Sequence, residues 1–310
     1  MAVRTRSEWN AVLATWERPA SDTEEAKIER AATMVRDAVA LSDWIVSQGV
    51  KVFPQGSYFN NTNVRLDADM DLRAVHPLIR MHYGPGVARD LADRALGIEY
   101  PGPTLENTVT ILRDQLAEAL VYTFGGNNVD ATGEKAIRVK ELPSSRAKVD
   151  VVPAFRLMYV DLNEAGQYRV NEGVAILSKS GDYTYNYPDR HHDNGIAKRA
   201  ATNHRFKRVV RMLKRMRAEL PHFDPVWCPS FLVECLAYAV EDGYYLVEAD
   251  DRYDRLRRIV YRLGEKLADA DWRARAREIN GVKVLFGEHQ SWPGEGAAVF
   301  VEAARRELEA

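Results

Sequence analysis

The residues best suited to chemistry lie between positions 55 and 72, where a Gly-Ser pair precedes alternating aspartates. Side chains two positions apart on a strand share a face, so Asp69 and Asp71 can converge on one cation site. Met70 and Leu72 would then enter a core. Closely packed carboxylates repel one another without a counterion, and the hard divalent ions that they prefer are Mg²⁺ and Mn²⁺. The spacing therefore predicts a metal site.

The pair Gly56-Ser57 predicts a phosphate site beside the metal. Glycine lets the backbone approach a phosphate, and exposed amides with a hydroxyl can bind its oxygens. We include the preceding Gln55 in this nucleotide site. Taken singly, a Gly-Ser pair or an Asp-x-Asp pattern is more typical of a surface turn or a solvated acidic loop. Their occurrence together favours a nucleoside triphosphate carried on Mg²⁺.

A third acid, Asp150, lies between Val149 and Val151 in an apolar run that is typical of a buried strand. A buried carboxylate needs a partner. The residues leave two interpretations open. Asp150 is either a third catalytic carboxylate or one half of a salt bridge to Lys148 or Arg146.

The Gly-Ser turn, the Asp-x-Asp strand and a third aspartate on a later strand resemble the DNA polymerase β nucleotidyltransferase superfamily. The C-terminal half resembles clade E of the bacterial CD-NTases, the cyclic-oligonucleotide synthases related to cyclic GMP-AMP synthase and oligoadenylate synthase. The match extends from about the Gly-Ser turn to near the C-terminus. Its segments are 186–195, 197–198, 201–203, 206–214, 229–236 and 285–288.

The resemblance implies an α/β (α+β) fold, with a polymerase β-like nucleotidyltransferase lobe built on a mixed sheet and a C-terminal helical lobe. We expect the catalytic core, with a long N-terminal spine helix, in residues 1–160. The mostly helical nucleotide-binding lobe would follow in 161–310.

The implied reaction is two-metal phosphoryl transfer with two Mg²⁺ or Mn²⁺ ions. Asp69 and Asp71 would hold the ion on the incoming triphosphate, and these acids with Asp150 would hold a second ion on the acceptor 3′-hydroxyl. Each attack on an α-phosphate releases pyrophosphate. Asp67 shares the alternation, and a register shift of two would let it replace Asp69. We prefer Asp69 and Asp71 because they align with the family pair.

Residues 198–217 contain nine Lys or Arg and no acid. The apolar residues that we expect to face inward are Val209, Val210, Met212, Leu213 and Met216. A basic helix face is usually just solvated, but opposite a metal-bound triphosphate a lysine can neutralise the remaining charge. The clade pattern favours lysines at Lys198, Lys207 and Lys214. Ser230 resembles the family serine that opens the next helix near the phosphates. An ordinary N-terminal cap is a compatible role for it.

Asn186 matches the clade asparagine before Tyr-Pro that is associated with accepting uracil. An amide offers the donor and the acceptor that pair with the O4 and N3–H edge of uracil. The alternative is a turn asparagine in 185–188; Tyr185 or Tyr187 would stack on a base or enter the core. The resemblance implies UTP with ATP or another NTP as substrates, and cyclic UMP-AMP or cyclic di-UMP as product. A separate effector protein would read that product in CBASS anti-phage defence.

Composition excludes little. The net charge of −2 over 310 residues requires any basic site to be local. No run approaches the roughly 18 apolar residues of a membrane span, and no signal core is visible, so we expect a cytoplasmic protein without a membrane partner. Cys228 and Cys235 are typical of core thiols, since no Cys-x-x-Cys pair suggests zinc. Without a zinc-ribbon insertion or a long basic arm, we expect no obligatory nucleic-acid partner.

Apolar periodicity predicts the remaining elements. We expect one helix over about 23–48, capped by Ser21 or Asp22, and another over 108–124 that stops at Gly125-Gly126. A polar loop should extend through residue 195 before the helical lobe. The predicted strands are 51–54, an acidic strand through 75, 136–142, 148–154 and a hairpin of 158–160 with 168–177, which flank the turn residues 163–166.

Two other functions remain compatible with the residues. One is a nucleotidyltransferase that modifies RNA or another acceptor without closing a ring. The other is a nucleotide-binding sensor or interaction subunit without turnover. The complete trio of acids argues against the second, because a pure binder does not need three carboxylates aimed at a 3′-hydroxyl.

Overall fold

A computed structural model describes residues 4–64, 69–98, 105–143, 145–220, 223–247 and 251–309. The chain forms two compact units. The sheet unit comprises Asp22–Tyr58 and Ala68–Pro188, and the helical unit comprises Met1–Ser21, Phe59–Asp67 and Asp189–Ala310. Asp67 lies outside the described residues, so its proposed exchange with Asp69 is not addressed by the structure.

Within the described residues, seven strands form one mixed sheet. The strands are β1 (Lys51–Gln55), β2 (Asp69–Tyr83), β3 (Val129–Asp130), β4 (Ile137–Val139), β5 (Lys148–Leu162), β6 (Tyr168–Leu177) and β7 (Tyr183–Asn186). Their order is β1-β2-β5-β4-β3, and β6 pairs with β5 and β7. The β2–β5 pair is parallel and the others are antiparallel. The expected mixed sheet is therefore confirmed.

The core of the sheet unit follows from period-2 alternation on the central strands. Met70 and Leu72 of β2, with Val149 and Val151 of β5, are completely or almost completely buried. They pack with two helices, α2 (Asp22–Ala40) and α6 (Leu105–Phe124), whose buried residues recur at helical spacing. Because alternate residues point away from this core, the aspartates between them lie on the opposite face of the sheet.

The expected helix over 23–48 is two helices, which corrects the single spine helix. Residues 43–47 form α3 (Asp43–Ser47) after a break at Leu41 and Ser42. Ser42 is the N-cap of α3, and its hydroxyl accepts a hydrogen bond from the Ile45 amide at 3.4 Å. It also donates to Gln115 Oε1 at 3.1 Å. A serine that bonds the following amide competes with continuous helix, which explains the break.

Several predicted boundaries agree with the structure. The helix α6 ends at Phe124, before Gly125 with φ +81°. The hairpin is confirmed, since Leu162 pairs with Tyr168 across a turn in which Asn163 Oδ1 accepts two backbone hydrogen bonds. The strand expected over 136–142 is shorter, and the one over 148–154 is longer, because β4 pairs with one part of β5 and β6 with another.

The polar loop expected through residue 195 is wrong. Residues 183–186 form β7, and α7 (Pro188–Ala201) begins immediately afterwards. Proline suits the first position of a helix, and Asp189 in the first turn complements the helix dipole. The boundary expected near residue 160 falls inside β5, because β6 and β7 extend the sheet. The C-terminal part of the helical unit begins instead at Asp189, and Met1–Ser21 and Phe59–Asp67 also belong to that unit.

The helical unit packs around its own large apolar core. Its helices are α1 (Arg6–Trp16), α7, α8 (Arg205–Glu219), α9 (Ser230–Ala239), α10 (Arg252–Ala268), α11 (Ala270–Arg275) and α12 (Gly296–Glu309). The inward residues expected on α8 are all buried: Val209, Val210, Met212, Leu213 and Met216. Two short helices belong elsewhere in the chain, α4 (Gly56–Phe59) and α5 (Arg89–Leu96).

Cys228 and Cys235 are free, buried thiols of the helical core, as expected. Burial raises the pKa of the Cys228 thiol to about 12 and also raises the pKa of Cys235. In the part of the chain that the structure describes, no helix is both long and apolar enough to cross a membrane.

Candidate active site

The three predicted catalytic acids lie on two neighbouring strands. In the parallel β2–β5 pair, Asp71 is directly opposite Asp150, and Asp69 is opposite Lys148. Each acid is partly exposed, whereas the strand residues next to it enter the core. Residues paired in parallel strands share a face, so the three carboxylates lie together on the side of the sheet away from α2 and α6.

Two basic side chains bind these carboxylates. Lys148 Nζ lies 2.5 Å from Asp69 Oδ2. Arg138, opposite Asp150 on β4, donates from Nε and Nη2 to the two carboxylate oxygens at 2.8 and 3.0 Å. The hydrogen bond to Asp150, together with its charge, raises the pKa of the Arg138 guanidinium.

Asp150 therefore forms a salt bridge, as one of the two interpretations predicted, but its partner is Arg138 and not Lys148 or Arg146. Lys148 binds Asp69, and Arg146 Nε donates instead to the Lys140 carbonyl at 3.2 Å. The sequence pattern around Arg138 indicates this partner. Ile137 and Val139 alternate with Arg138, which places that arginine on the face of the sheet opposite to the core.

The Gly-Ser turn is packed directly against Asp71. Gln55, the last residue of β1, pairs with Asp71. Gly56 has φ +72°, and a Cβ built there would lie 2.0 Å from Asp71 Oδ2. Glycine is required at this position by both its backbone conformation and the close carboxylate. Ser57 follows in α4. The predicted phosphate turn and metal strand are thus brought together.

We expect Gly56→Ala to lower kcat/KM by about 100-fold, because the new methyl group must displace Asp71 and the left-handed backbone disfavours a side chain by about 1–2 kcal/mol. Initial rates and thermal unfolding of the variant measure both effects. Gly166→Ala is the matched control, since Gly166 has φ +73° and open space around the new Cβ. Equal losses of activity in the two variants would contradict the role given to Gly56.

The predicted basic residues and Ser230 belong to the helical unit. Lys198 Nζ contacts Asp242 Oδ1 at 2.6 Å and donates to the Val240 carbonyl at 2.5 Å. Lys207 is buried, and burial followed by the charge of Arg199 lowers its pKa. Their role in binding phosphate stays a prediction.

Ser230 is the first residue of α9, and the N-cap position is occupied by Pro229 without a side-chain hydrogen bond. The capping role considered for Ser230 is therefore wrong. Its predicted role near phosphates is not addressed by this local geometry and stays a prediction.

Comparison with known proteins identifies the family. Residues 193–309 match the cGAS/DncV-like nucleotidyltransferase C-terminal helical domain. The chain is 35% identical over 292 residues to the cyclic dipyrimidine nucleotide synthase CdnE of Legionella pneumophila, covering 92% of both chains. The chain belongs to the CD-NTase family. The resemblance stated from the sequence is thereby confirmed, and this CD-NTase is a nucleotidyltransferase.

Two further similarities support the placement among CdnE proteins. The CdnE of Cecembia lonarensis, also named a cyclic dipyrimidine nucleotide synthase, is 30% identical over 90% of this chain and 91% of its own. The solved structure of the Elizabethkingia meningoseptica CdnE cyclic dinucleotide synthase with GTP and Apcpp superposes with a TM-score of 0.75 at 25% identity. That similarity covers 97% of this chain and 99% of the other. The fold expected from the sequence is confirmed.

The donor set of this CD-NTase suits a hard divalent cation. Asp69, Asp71 and Asp150 supply carboxylate oxygens from one face of the sheet, and oxygen ligands are those that Mg²⁺ prefers. Among the described residues, no three His, Cys, Asp or Glu side chains are already arranged as a metal-binding group. Lys148 and Arg138 instead bind two of the three carboxylates. A metal ion that binds these carboxylates would therefore have to replace Lys148 and Arg138 as their partners.

The residue proposed to read the base lies at the end of the sheet. Asn186 is the last residue of β7, is partly exposed and pairs with Val174 of β6. It is therefore a strand residue, and the alternative of a turn asparagine is wrong. Tyr187 is buried in the core, whereas the Tyr185 ring is tilted against His82 with the ring centres 4.6 Å apart.

Sequence reasoning missed Glu234, which lies in α9 among apolar residues. Its carboxylate is buried, accepts from Thr62 Oγ1 at 2.8 Å and lies 2.5 Å from Lys214 Nζ. His191 Nε2 is 3.3 Å from its other oxygen. Burial raises the pKa of Glu234, but Lys214 and His191 outweigh that effect and lower it to about 2. An acid inside an apolar helix is the signal that could have indicated this cluster.

Lys214 is thus the buried ion-pair partner of Glu234, and its Nζ also donates to the Thr62 carbonyl at 3.0 Å. On the same helix, Arg211 donates to the Asn61 carbonyl at 2.7 Å. These bonds hold the segment that joins the Gly-Ser turn to the acidic strand in sequence. The phosphate role predicted for Lys214 stays a prediction, but the structure gives this lysine a structural role.

Proposed function

We propose that this CD-NTase joins nucleoside triphosphates into a cyclic dinucleotide by two successive attacks of a 3′-hydroxyl on an α-phosphate. The observation that carries the proposal is the pairing of Asp71 with Asp150 across two parallel strands, with Asp69 on the same face and Gly56 against Asp71. This arrangement offers three hard oxygen donors beside the partly exposed residues Gly56 and Ser57 at the start of α4. Nucleotidyl transfer needs both a metal site and a site that binds the phosphates.

In the proposed mechanism, Asp69 and Asp71 would hold the cation of the incoming metal–triphosphate complex. Asp150 orients the acceptor 3′-hydroxyl for in-line attack. The Gly56 and Ser57 amides and the Ser57 hydroxyl bind phosphate oxygens. When bound, two Mg²⁺ or Mn²⁺ ions would favour the ionised 3′-hydroxyl and neutralise charge on the triphosphate. Catalysis then rests on positioning and charge neutralisation, so the chain needs no covalent intermediate.

The proposed substrates include UTP. Two relatives at 35% and 30% identity are named cyclic dipyrimidine nucleotide synthases, and the Asn186 amide offers a donor and an acceptor that match the edge of uracil. We propose cyclic di-UMP as the main product and cyclic UMP-AMP as the alternative, in which ATP supplies the second nucleotide.

Incubation of the purified protein with the four NTPs and Mg²⁺ or Mn²⁺ tests the reaction. Phosphatase treatment followed by mass spectrometry should reveal a resistant dinucleotide that contains uridine. The variant Asp69→Asn/Asp71→Asn should yield none. A linear product, or one formed only with an added RNA acceptor, would favour a non-cyclising transferase. A ring that contains only purines would preserve the enzyme class and contradict the proposed base.

We expect Asn186→Ala to reduce the uridine content of the products relative to purine products by about 10- to 100-fold, because each unmet polar edge of the base costs about 1–3 kcal/mol. The measurement is the product ratio from an equimolar mixture of four NTPs, where the purine products serve as an internal control. A uniform fall in every product with an unchanged ratio would show that Asn186 does not select the base.

We also propose that the product is a second messenger in CBASS anti-phage defence, where a separate effector protein reads it. The support is the membership of the CD-NTase family. Bacteria carrying the gene with its neighbouring genes should resist phage better than bacteria carrying the Asp69→Asn/Asp71→Asn variant in the same context. Equal phage sensitivity of the two strains would contradict a signalling role that depends on nucleotidyl transfer.

A further inference from the structure

The third catalytic acid already has a cation that uses both of its oxygens. Arg138 binds Asp150 in the two-pronged geometry that makes guanidinium–carboxylate pairs strong and directional. The Arg138 side chain remains 49% exposed and that of Asp150 21% exposed. An arginine that retains so much contact with water can leave its partner without entering a dry core.

A second acid lies on the other side of Arg138. In the β3–β4 pair, Asp130 is directly opposite Arg138, just as Asp150 is opposite Arg138 in the β4–β5 pair. Residues that pair directly in a sheet share a face. Arg138 is therefore placed between two carboxylates in one row, and an outward movement from Asp150 keeps it beside an anion.

We propose that Arg138 is a displaceable counterion of Asp150, and that it must yield the carboxylate oxygens before a divalent metal can use them. The inference rests on the proposed function, since it assigns the metal to these acids. Its consequence is that Arg138 weakens binding of free metal ions. A metal–triphosphate complex would overcome that competition better than a free ion, because its phosphates bring further contacts.

The charges support this assignment. The three acids Asp69, Asp71 and Asp150, together with Lys148 and Arg138, carry a net charge of −1 in place of −3. A divalent ion that joined the cluster while both cations remained would meet two positive groups at close range, and like charges repel strongly where water is partly excluded. Movement of Arg138 towards Asp130 removes one of these two positive groups from the metal site. If Arg138 only held Asp150 in position for the metal, the effect of removing it on metal affinity would be reversed. Removal of the arginine would then disorder Asp150 and weaken metal binding.

Binding of Mn²⁺ to the full-length protein without nucleotide tests the proposal, because it does not depend on turnover. The concentration of free Mn²⁺ can be followed by electron paramagnetic resonance, and the rise in Tm on adding Mn²⁺ gives a second readout. We expect Arg138→Gln to bind Mn²⁺ about 5- to 10-fold more tightly than the unchanged protein. It should have a lower Tm without metal and a larger rise with it.

The chain offers a matched control. Arg169 binds Asp161 in the same two-pronged manner, at 2.9 and 2.6 Å, with side-chain exposures of 43% and 18%. This pair lies on β5 and β6, away from the three acids in the strand register. Arg169→Gln should leave Mn²⁺ affinity unchanged. Equal tightening in both arginine variants would overturn the proposal, because a general loss of positive charge would then explain it.

The remaining outcomes separate the inference from the proposed function. If Mn²⁺ binding depends on Asp71 but is unchanged or weaker in Arg138→Gln, the counterion role is wrong and the catalytic acids stand. If Asp71→Asn leaves Mn²⁺ binding intact, the metal does not use these acids, and both proposals are overturned.

Discussion

The variant Asp71→Asn should lose about a thousandfold in kcat while it remains folded. Asp71 is the central acid, since it pairs with Asp150 on β5 and with Gln55 on β1. The amide keeps the size of the side chain but removes the charge that a divalent cation needs, so positioning of the triphosphate should fail. Product formation under saturating NTP and Mn²⁺ measures the loss.

Stability separates this catalytic effect from damage to the fold. Neutralising one of three neighbouring carboxylates relieves repulsion, so we expect the Tm of Asp71→Asn to be unchanged or slightly higher. The control is Asp161→Asn on β5, which breaks the partly exposed pair with Arg169 outside the acid cluster. Activity of Asp71→Asn within tenfold of the unchanged protein would refute the assignment of the active site.

The second large effect is expected on stability, at Glu234. Glu234→Gln leaves the Lys214 ammonium buried without its anion, and removal of one partner of a buried pair costs about 3–5 kcal/mol. Lys214 also holds the Thr62 carbonyl, so the chain segment before the acidic strand should loosen as well. Urea unfolding measures the loss in the free energy of unfolding.

Two variants sharpen this test. Glu234→Gln/Lys214→Met removes both charges and should recover part of the stability, because no buried charge is then left unpaired. Arg255→Met is a control in the same helical unit, where the buried Arg255 donates to the Tyr245 carbonyl. If the double variant is less stable than Glu234→Gln, loss of the ion pair does not explain the lower stability of Glu234→Gln.

The Glu234 carboxylate also predicts a dependence of the protein's stability on pH. Its pKa is about 2 in the folded protein against an ordinary value of 4.5. A lowered carboxylate pKa stabilises the fold fully above the ordinary value and loses that contribution as the pH falls towards the folded value. Urea midpoints between pH 3 and 6 should therefore fall less steeply on acidification in Glu234→Gln. Parallel curves for the variant and the unchanged protein would contradict this.

Local patterns predicted much of what the structure contains. The hairpin turn at 163–166, the end of α6 at Gly125 and the inward face of α8 all follow from properties of neighbouring residues. The errors occurred where a local signal competed with another one. Ser42 lies in a helical pattern but caps a new helix, and Pro188 begins a helix inside a segment whose polar composition predicts a loop.

Which residues share a face follows from the amino-acid pattern alone, because alternation along a strand is a local property. This pattern placed Asp69 and Asp71 together and their apolar neighbours in the core. Folding was needed to show that Asp71 lies opposite Asp150, that Arg138 is the partner of Asp150, and that β6 and β7 belong to the sheet unit. Strand order and register depend on pairing between distant segments, and burial of a charge such as Glu234 depends on helices that meet only after folding.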